Sequence, residues 1–202
     1  MQLTGARSGA RSARIGVLAS GGGRTVANIA TACDRGEVDA TVVVCIVTKP
    51  GVGAAARCAA LGIPVAVVPA EPADTFDDRI DRELRIHGVD LVCLAGYLRR
   101  FRVDAWQGRA LNIHPALLPE FGGHGMFGER VHRAVLAAGR AESGCTVHWV
   151  DAQYDHGQHV VQRRCPVLPG DTPETLAERV WAEETLAYPE AIRQVLGAQA
   201  PA

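Results

Sequence analysis

The stretch Arg14–Gly36 reads RIGVLASGGGRTVANIATACDRG. Its first seven residues form a short apolar run that ends in glycines, the pattern of a buried strand. Val26, Ile29, Ala30 and Cys33 then recur at helical spacing until Gly36 stops them. Strand, glycine turn and helix in that order open a βαβ unit.

The alternation continues outward. ATVVVCIVT (40–48) is β-branched and continuously apolar, as a strand covered on both faces would be. GAAARCAALG predicts a short helix closed by Gly62, and PVAVVP a third strand. DTFDDRIDRELRIHG places Phe76, Ile80 and Leu84 on one helix face; VDLVCLAG and GRALNIHP read as a fourth and a fifth strand. CTVHWVDAQYD and HVVQRRCPV are two late β stretches, and YDHGQ between them could turn them into an antiparallel hairpin. A last helix is expected from about Thr172, where DTPETLAERV combines cap, proline and early acids. The predicted class is α/β: one Rossmann-like domain, a mainly parallel sheet with helices on both faces.

Composition narrows the function. Hydrophobic residues make up 48% and charged residues 21% of 202, ordinary for a globular chain. With formal net charge −1, no basic excess points to nucleic acid or a membrane surface. No apolar run approaches the roughly 20 residues that span a bilayer. The opening MQLTGARSGARSA lacks the apolar centre of a secretory signal and makes too short an amphipathic helix for a transit peptide, so residues 1–13 are expected to be a flexible tail. Six cysteines sit singly in apolar segments without a Cys-x-x-Cys pair, which reads as buried thiols in a reducing compartment, the cytoplasm by default.

Ligands of such sheets bind beyond the carboxyl ends of the strands. That rule selects ASGGGRT, AGYLRRF and NIHP. The glycine turn brings backbone N–H groups to a helix start, which suits a phosphate. It is a poor dinucleotide fingerprint: the third glycine would be Val26, and the second strand ends VTKP without a ribose-binding acid. Without the Gly-Lys pair of a P-loop, a single terminal phosphate is the better expectation. Steric packing of the turn is the alternative.

In LNIHPALLPEFGGHGM (111–126), Asn112 and His114 stand two apart and so face one side of a strand. An amide N–H stabilises a developing oxyanion and an imidazole moves protons near neutral pH, a pairing suited to attack on a carbonyl or formyl carbon. A structurally satisfied pair fits the spacing equally well. Asp155 is the candidate carboxylate to orient the histidine. His124, His132, His156 and His159 invite a metal reading, but no His-x-x-x-His helix or acidic partner set supports one.

LASGGGRTVANI, LAGYLRRF, LNIHPALLPEFGG, SGCTVHWVDAQYDHGQHVVQ and LAERVWAEETLAYP, in that order from about Arg14 to Leu196, together resemble the folate-dependent formyltransferases. Overall length points to the branch that acts on phosphoribosylglycinamide. The resemblance implies a formyltransferase domain over 14–196, with 197–202 a C-terminal tail. It further implies 10-formyltetrahydrofolate as donor, small-molecule substrates only, no metal, and a monomer or homodimer. It assigns catalysis to Asn112, His114 and Asp155, with Asp155 raising the pKa of His114. Gly23, Arg24 and Thr25 match the phosphate turn, and Glu184 a carboxylate for ribose hydroxyls. Arg79, Leu98, Arg99, Arg100 and Phe101 match the folate segment, with Asn112 and the loop Asp151, Ala152, Gln153, Tyr154 and Asp155 closing over its ring.

Three departures fall near the amine substrate. Arg24 and Thr25 replace a small polar residue and Asn. Phe121–Gly122–Gly123 replaces aromatic-Pro-Gly, and HGMFGERVH after it reads as a long glycine-rich loop. His156 and His159 replace small residues. A transfer RNA formyltransferase would need a further domain and a basic surface. A formyltetrahydrofolate hydrolase would need an extra N-terminal domain. A phosphate-binding module without catalysis has no use for Asn112, His114 and Asp155 together.

Overall fold

The computed structural model describes residues 11–199, so most of the expected N-terminal tail and residues 200–202 lie outside the described residues. The elements run β1 (Ala13–Ala19), α1 (Arg24–Asp34), β2 (Ala40–Val47), α2 (Gly53–Ala60), β3 (Val65–Val67), α3 (Phe76–Ile86), β4 (Leu91–Ala95), β5 (Ala110–His114), α4 (Glu129–Ala137), β6 (Glu142–Trp149), β7 (His159–Pro166) and α5 (Pro173–Gln199). Just ahead of β1, the Arg11 guanidinium forks the Asp90 carboxylate at 2.7 Å. At the other end α5 continues to Gln199, past the boundary expected at 196.

The sheet order is β3-β2-β1-β4-β5-β6-β7. The strands β1 to β5 pair in parallel; β6 and β7 add antiparallel to β5 as a hairpin. The chain therefore reverses its direction of winding between β1 and β4, where the loops after neighbouring strands part and leave a crevice.

Period-two alternation sends Val17, Cys93, Leu111, Ile113 and Val147 into one core layer, beneath α1, α2, α4 and α5. Leu18, Val44, Val92, Leu94 and Ala110 face the other layer, which α3 alone covers with Phe76, Ile80 and Leu84. Asn112 and His114 lie on the Ala110 side, and the register sets His148 beside Asn112 and Thr146 beside His114. One helix cannot cover seven strands. The polar ends of β5 and β6 thus project where loops, not a helix, close the surface.

Two ties hold α5 under the sheet. The fully buried Tyr188 hydroxyl lies 2.9 and 3.0 Å from the carbonyl oxygens of Leu94 and Leu111, which joins β4, β5 and α5. Pro189, inside the helix, has no N–H for the Thr185 carbonyl, and Asn28 of α1 supplies one instead at 3.1 Å.

Two local readings are corrected. HGMFGERVH is a loop only as far as Gly128, and α4 starts at Glu129, burying Val131, His132 and Val135. The glycines ahead hide the helical spacing of those three residues. The hairpin connection is also longer than YDHGQ, running over 150–158. Among the described residues no helix is long and apolar enough to cross a membrane.

Candidate active site

At the carboxyl end of β5, Asp155 gathers the polar groups. Its Oδ1 accepts from the Asn112 amide nitrogen at 3.2 Å. Its Oδ2 accepts the Gly123 N–H at 2.9 Å and stands 3.3 Å from His114 Nδ1. The carboxylate comes from a left-handed backbone (φ 54) in the loop after β6, and the side chain is 9% exposed. That path depends on Gly157, where a Cβ would overlap the Trp149 carbonyl oxygen. The sequence-predicted trio Asn112, His114 and Asp155 is therefore brought together.

Their protonation follows from the partners. The Phe121 carbonyl oxygen, 2.7 Å from His114 Nε2, only accepts, so that nitrogen carries a proton. His148 shows the complementary tautomer: Nδ1 donates to the Trp149 carbonyl at 2.8 Å, which leaves Nε2 to accept from the Asn112 amide at 3.2 Å. Both amide donors of Asn112 are thus engaged, by His148 and by Asp155.

The expected rise in the His114 pKa is corrected. Burial lowers it and outweighs the Asp155 charge and the Phe121 bond, which pull it upward. Asp155 itself stays ionised: burial pushes it up, but the N–H it accepts from Gly123 helps hold it below the usual carboxylate range. The site stores a carboxylate against an imidazole that resists charging.

The turn leading away from His114 is fixed from beneath. Thr146 Oγ1 donates to the Ala116 carbonyl at 2.7 Å and accepts the Leu118 N–H at 3.1 Å. Gln162 donates to Leu118 O and to Thr146 Oγ1 at 3.1 and 3.0 Å.

Across the crevice, Gly23 has φ 78, and a Cβ there would stand 2.5 Å from Ala54 Cα. The glycine turn is therefore packed against α2 as well as open to a ligand. Thr25 lies in the first turn of α1. Arg24 forks Glu178 on α5 at 2.7 and 2.9 Å and lies 4.3 Å over the Trp181 ring. Two turns along α5, Glu184 is partly buried with no hydrogen-bond partner among the described residues. Burial pushes its pKa up to about 7, opposed by the Arg24 charge.

The residues assigned to folate are less gathered. Leu98 is 54% exposed, and its N–H donates to Ser20 Oγ at 3.3 Å. Phe101 is core, among Tyr97 and Trp106. Arg99 lies 4.6 Å over Phe76, Arg100 is exposed, and Arg79 donates back to the Pro72 carbonyl at 2.9 Å. In the loop over 151–155, Asp151 accepts the Gln153 N–H at 2.7 Å and contacts His156 Nδ1 at 2.8 Å; Ala152 is exposed. Tyr154 meets the His124 ring at 5.5 Å, so the glycine-rich loop leans on the loop that carries Asp155. Two cavities of about 220 and 240 Å³ lie elsewhere, neither lined by Asn112, His114 or Asp155. Among the described residues, no group of three or more His, Cys, Asp and Glu could hold a metal ion.

Known proteins share this chain's sequence and fold over nearly its whole length. Residues 13–192 fit the formyl transferase family model. The chain belongs to that family. It is 41% identical to the chloroplastic phosphoribosylglycinamide formyltransferase of Arabidopsis thaliana, over 95% of this chain and 68% of that protein. The corresponding Vigna unguiculata protein is 40% identical over 90% of this chain and 60% of its own length. The structure of glycinamide ribonucleotide transformylase 1 from Symbiobacterium toebii is 40% identical, with TM-score 0.87, covering 95% of this chain and 92% of that one.

Membership does not by itself disclose His148, which sequence reasoning missed. It sits in the quoted TVHWV run, and only the β5–β6 register sets it against Asn112. Nor could sequence reveal the backbone partners, Phe121 O and Gly123 N–H, because no side-chain letter encodes them.

Proposed function

We propose that this formyltransferase moves the formyl group of 10-formyltetrahydrofolate to the amine of 5-phosphoribosylglycinamide, a step of purine synthesis. The observation that carries the reading is the Asp155 carboxylate, which contacts both Asn112 and His114 at the end of β5. The relatives named above, similar over nearly the whole chain, support the choice of acceptor.

The amine attacks the formyl carbon, the new C–N bond forms, and the carbonyl pair moves onto oxygen. That oxyanion takes over an Asn112 N–H and a His114 N–H, donors satisfied by neighbouring groups beforehand. As negative charge develops, it joins Asp155 in favouring imidazolium against burial. The intermediate then collapses: the bond to the folate nitrogen breaks, that nitrogen gains a proton and the attacking amine loses one. Asp155 and His114 hold the proton between these events.

Gly23, Arg24 and Thr25 bind the acceptor phosphate and Glu184 its ribose hydroxyls. Leu98–Phe101, Arg79 and the Asp151–Asp155 loop frame the donor, with Asn112 at its reactive end. The reading includes a monomer or homodimer at work in the cytoplasm, in keeping with six free cysteines, five of them buried. The test is formyl transfer from 10-formyltetrahydrofolate to 5-phosphoribosylglycinamide, run beside water and charged transfer RNA as acceptors. Faster release to water than to the amine would overturn the proposal.

A further inference from the structure

Arg24 opens α1 immediately after the glycine turn, a position where the helix dipole disfavours a cation. It is nonetheless there, and its guanidinium turns away to α5. Glu178 receives both of its outer nitrogens, and the Trp181 ring lies beneath it. The Arg24 and Glu178 side chains are 44% and 65% exposed, so water competes for the pair and the mutual hold is weak. Trp181 is a surface that keeps the guanidinium flat whichever anion it forks. Glu184, further along α5 and near enough to Arg24 to feel its charge, is a partly buried carboxylate without a hydrogen-bond partner among the described residues.

We propose that Arg24 is a specificity residue for a terminal phosphate monoester, held in reserve by Glu178 and passed to the phosphate when the acceptor binds. This rests on the acceptor site assigned above. Glu178 serves as a stand-in anion: it prevents an uncompensated cation at the helix start, and it yields because a dianionic phosphate offers the same fork more charge. The exchange keeps the guanidinium stacked on Trp181 and changes only what it faces. Ribose without a phosphate cannot displace Glu178 and therefore binds without Arg24.

The experiment titrates the full chain with inorganic phosphate, ribose 5-phosphate and ribose, read by calorimetry and by tryptophan fluorescence, with Trp181→Phe to assign the signal. Glu178→Gln removes the competitor and should tighten ribose 5-phosphate about two- to fivefold, the reach of an exposed ion pair. Arg24→Gln should weaken it roughly tenfold, the loss of a charge-assisted bond. In the double variant the gain should vanish, since Glu178 acts only through Arg24. A purely structural strap predicts the opposite sign for Glu178→Gln, and equal or weaker binding in that variant overturns the proposal. So does a gain that survives in the double variant, which would be bulk charge alone. If the phosphate results hold but no formyl reaches 5-phosphoribosylglycinamide, the functional reading falls and the Arg24 exchange stands. If formyl transfer proceeds while Glu178→Gln changes no phosphate affinity, the exchange alone falls.

Discussion

The ends of β5 and β1 lie on the same side of one sheet and are built by opposite means. At β5, His114, Asp155 and His148 are 4%, 9% and 2% exposed, and each polar side chain is fitted to another. At β1 the groups proposed to work are backbone N–H groups, Gly21 and Gly22 are open, and the Arg24 side chain is 44% exposed. A buried polar cluster is unforgiving, because deleting one member leaves others desolvated and unpaired. A backbone cradle tolerates side-chain change and answers in graded binding.

The largest effect should come from His114→Ala, which removes the group proposed to handle the proton. Turnover should fall by about 100- to 10,000-fold while both substrates still bind, measured by steady-state rates beside calorimetry. Near-normal turnover would dissolve the contrast between the two ends.

Asp155→Asn sharpens it. The Asp155 charge is what opposes burial at His114, so its loss should move an already lowered histidine pKa further down. Activity near neutral pH should drop by roughly 100-fold, since less imidazolium is available to the oxyanion. An NMR titration of His114 in both proteins decides the matter; an unmoved pKa would leave Asp155 as a loop-shaping residue only.

On the β1 side, Glu184→Gln should weaken the acceptor by about tenfold, the value of a hydrogen bond to a charged group, with little change at the donor. Glu184 has its pKa pushed up to about 7 from 4.5, so native acceptor binding should improve as pH rises through about 7. The same rise costs stability: the folded state holds a proton that the unfolded chain has already released above 4.5. The variant should flatten both profiles, followed by KM against pH and by denaturation. A pH-independent native KM would place the ribose contact elsewhere.

The smallest effect belongs to the footing beneath both ends. Tyr188→Phe deletes the hydroxyl between the Leu94 and Leu111 carbonyls and should cost about 1 kcal/mol in urea unfolding. It should not separate donor from acceptor binding. A selective loss of one would mean that α5 communicates with that end rather than merely supporting the sheet.

Gly23→Val is unsuitable as a probe of phosphate approach. Its side chain would meet Ala54 on α2, so loss of binding would mix ligand and fold effects. Glu178→Gln probes the same region without touching a packed position.

From the sequence alone came the order of the strands and of every helix but α4, because apolar periodicity is a local property of consecutive residues. Asn112 and His114 were legible as a pair for the same reason: two residues apart on a strand is a geometric statement needing no partner. Asp155 was already a candidate carboxylate for the histidine, and the resemblance gave it a role. Tertiary structure decided the rest. His148 reaches Asn112 through an antiparallel register that neither strand encodes by itself. Asn28 caps the Thr185 carbonyl that Pro189 leaves free, across a separation of 157 residues in sequence. Arg24, matched from sequence to the phosphate turn, forks Glu178 and lies over Trp181, partners on a helix that local spacing does not connect to it. The sign of the His114 shift was beyond sequence too, since a neighbouring charge can be inferred from residue names but burial depends on everything packed around the ring.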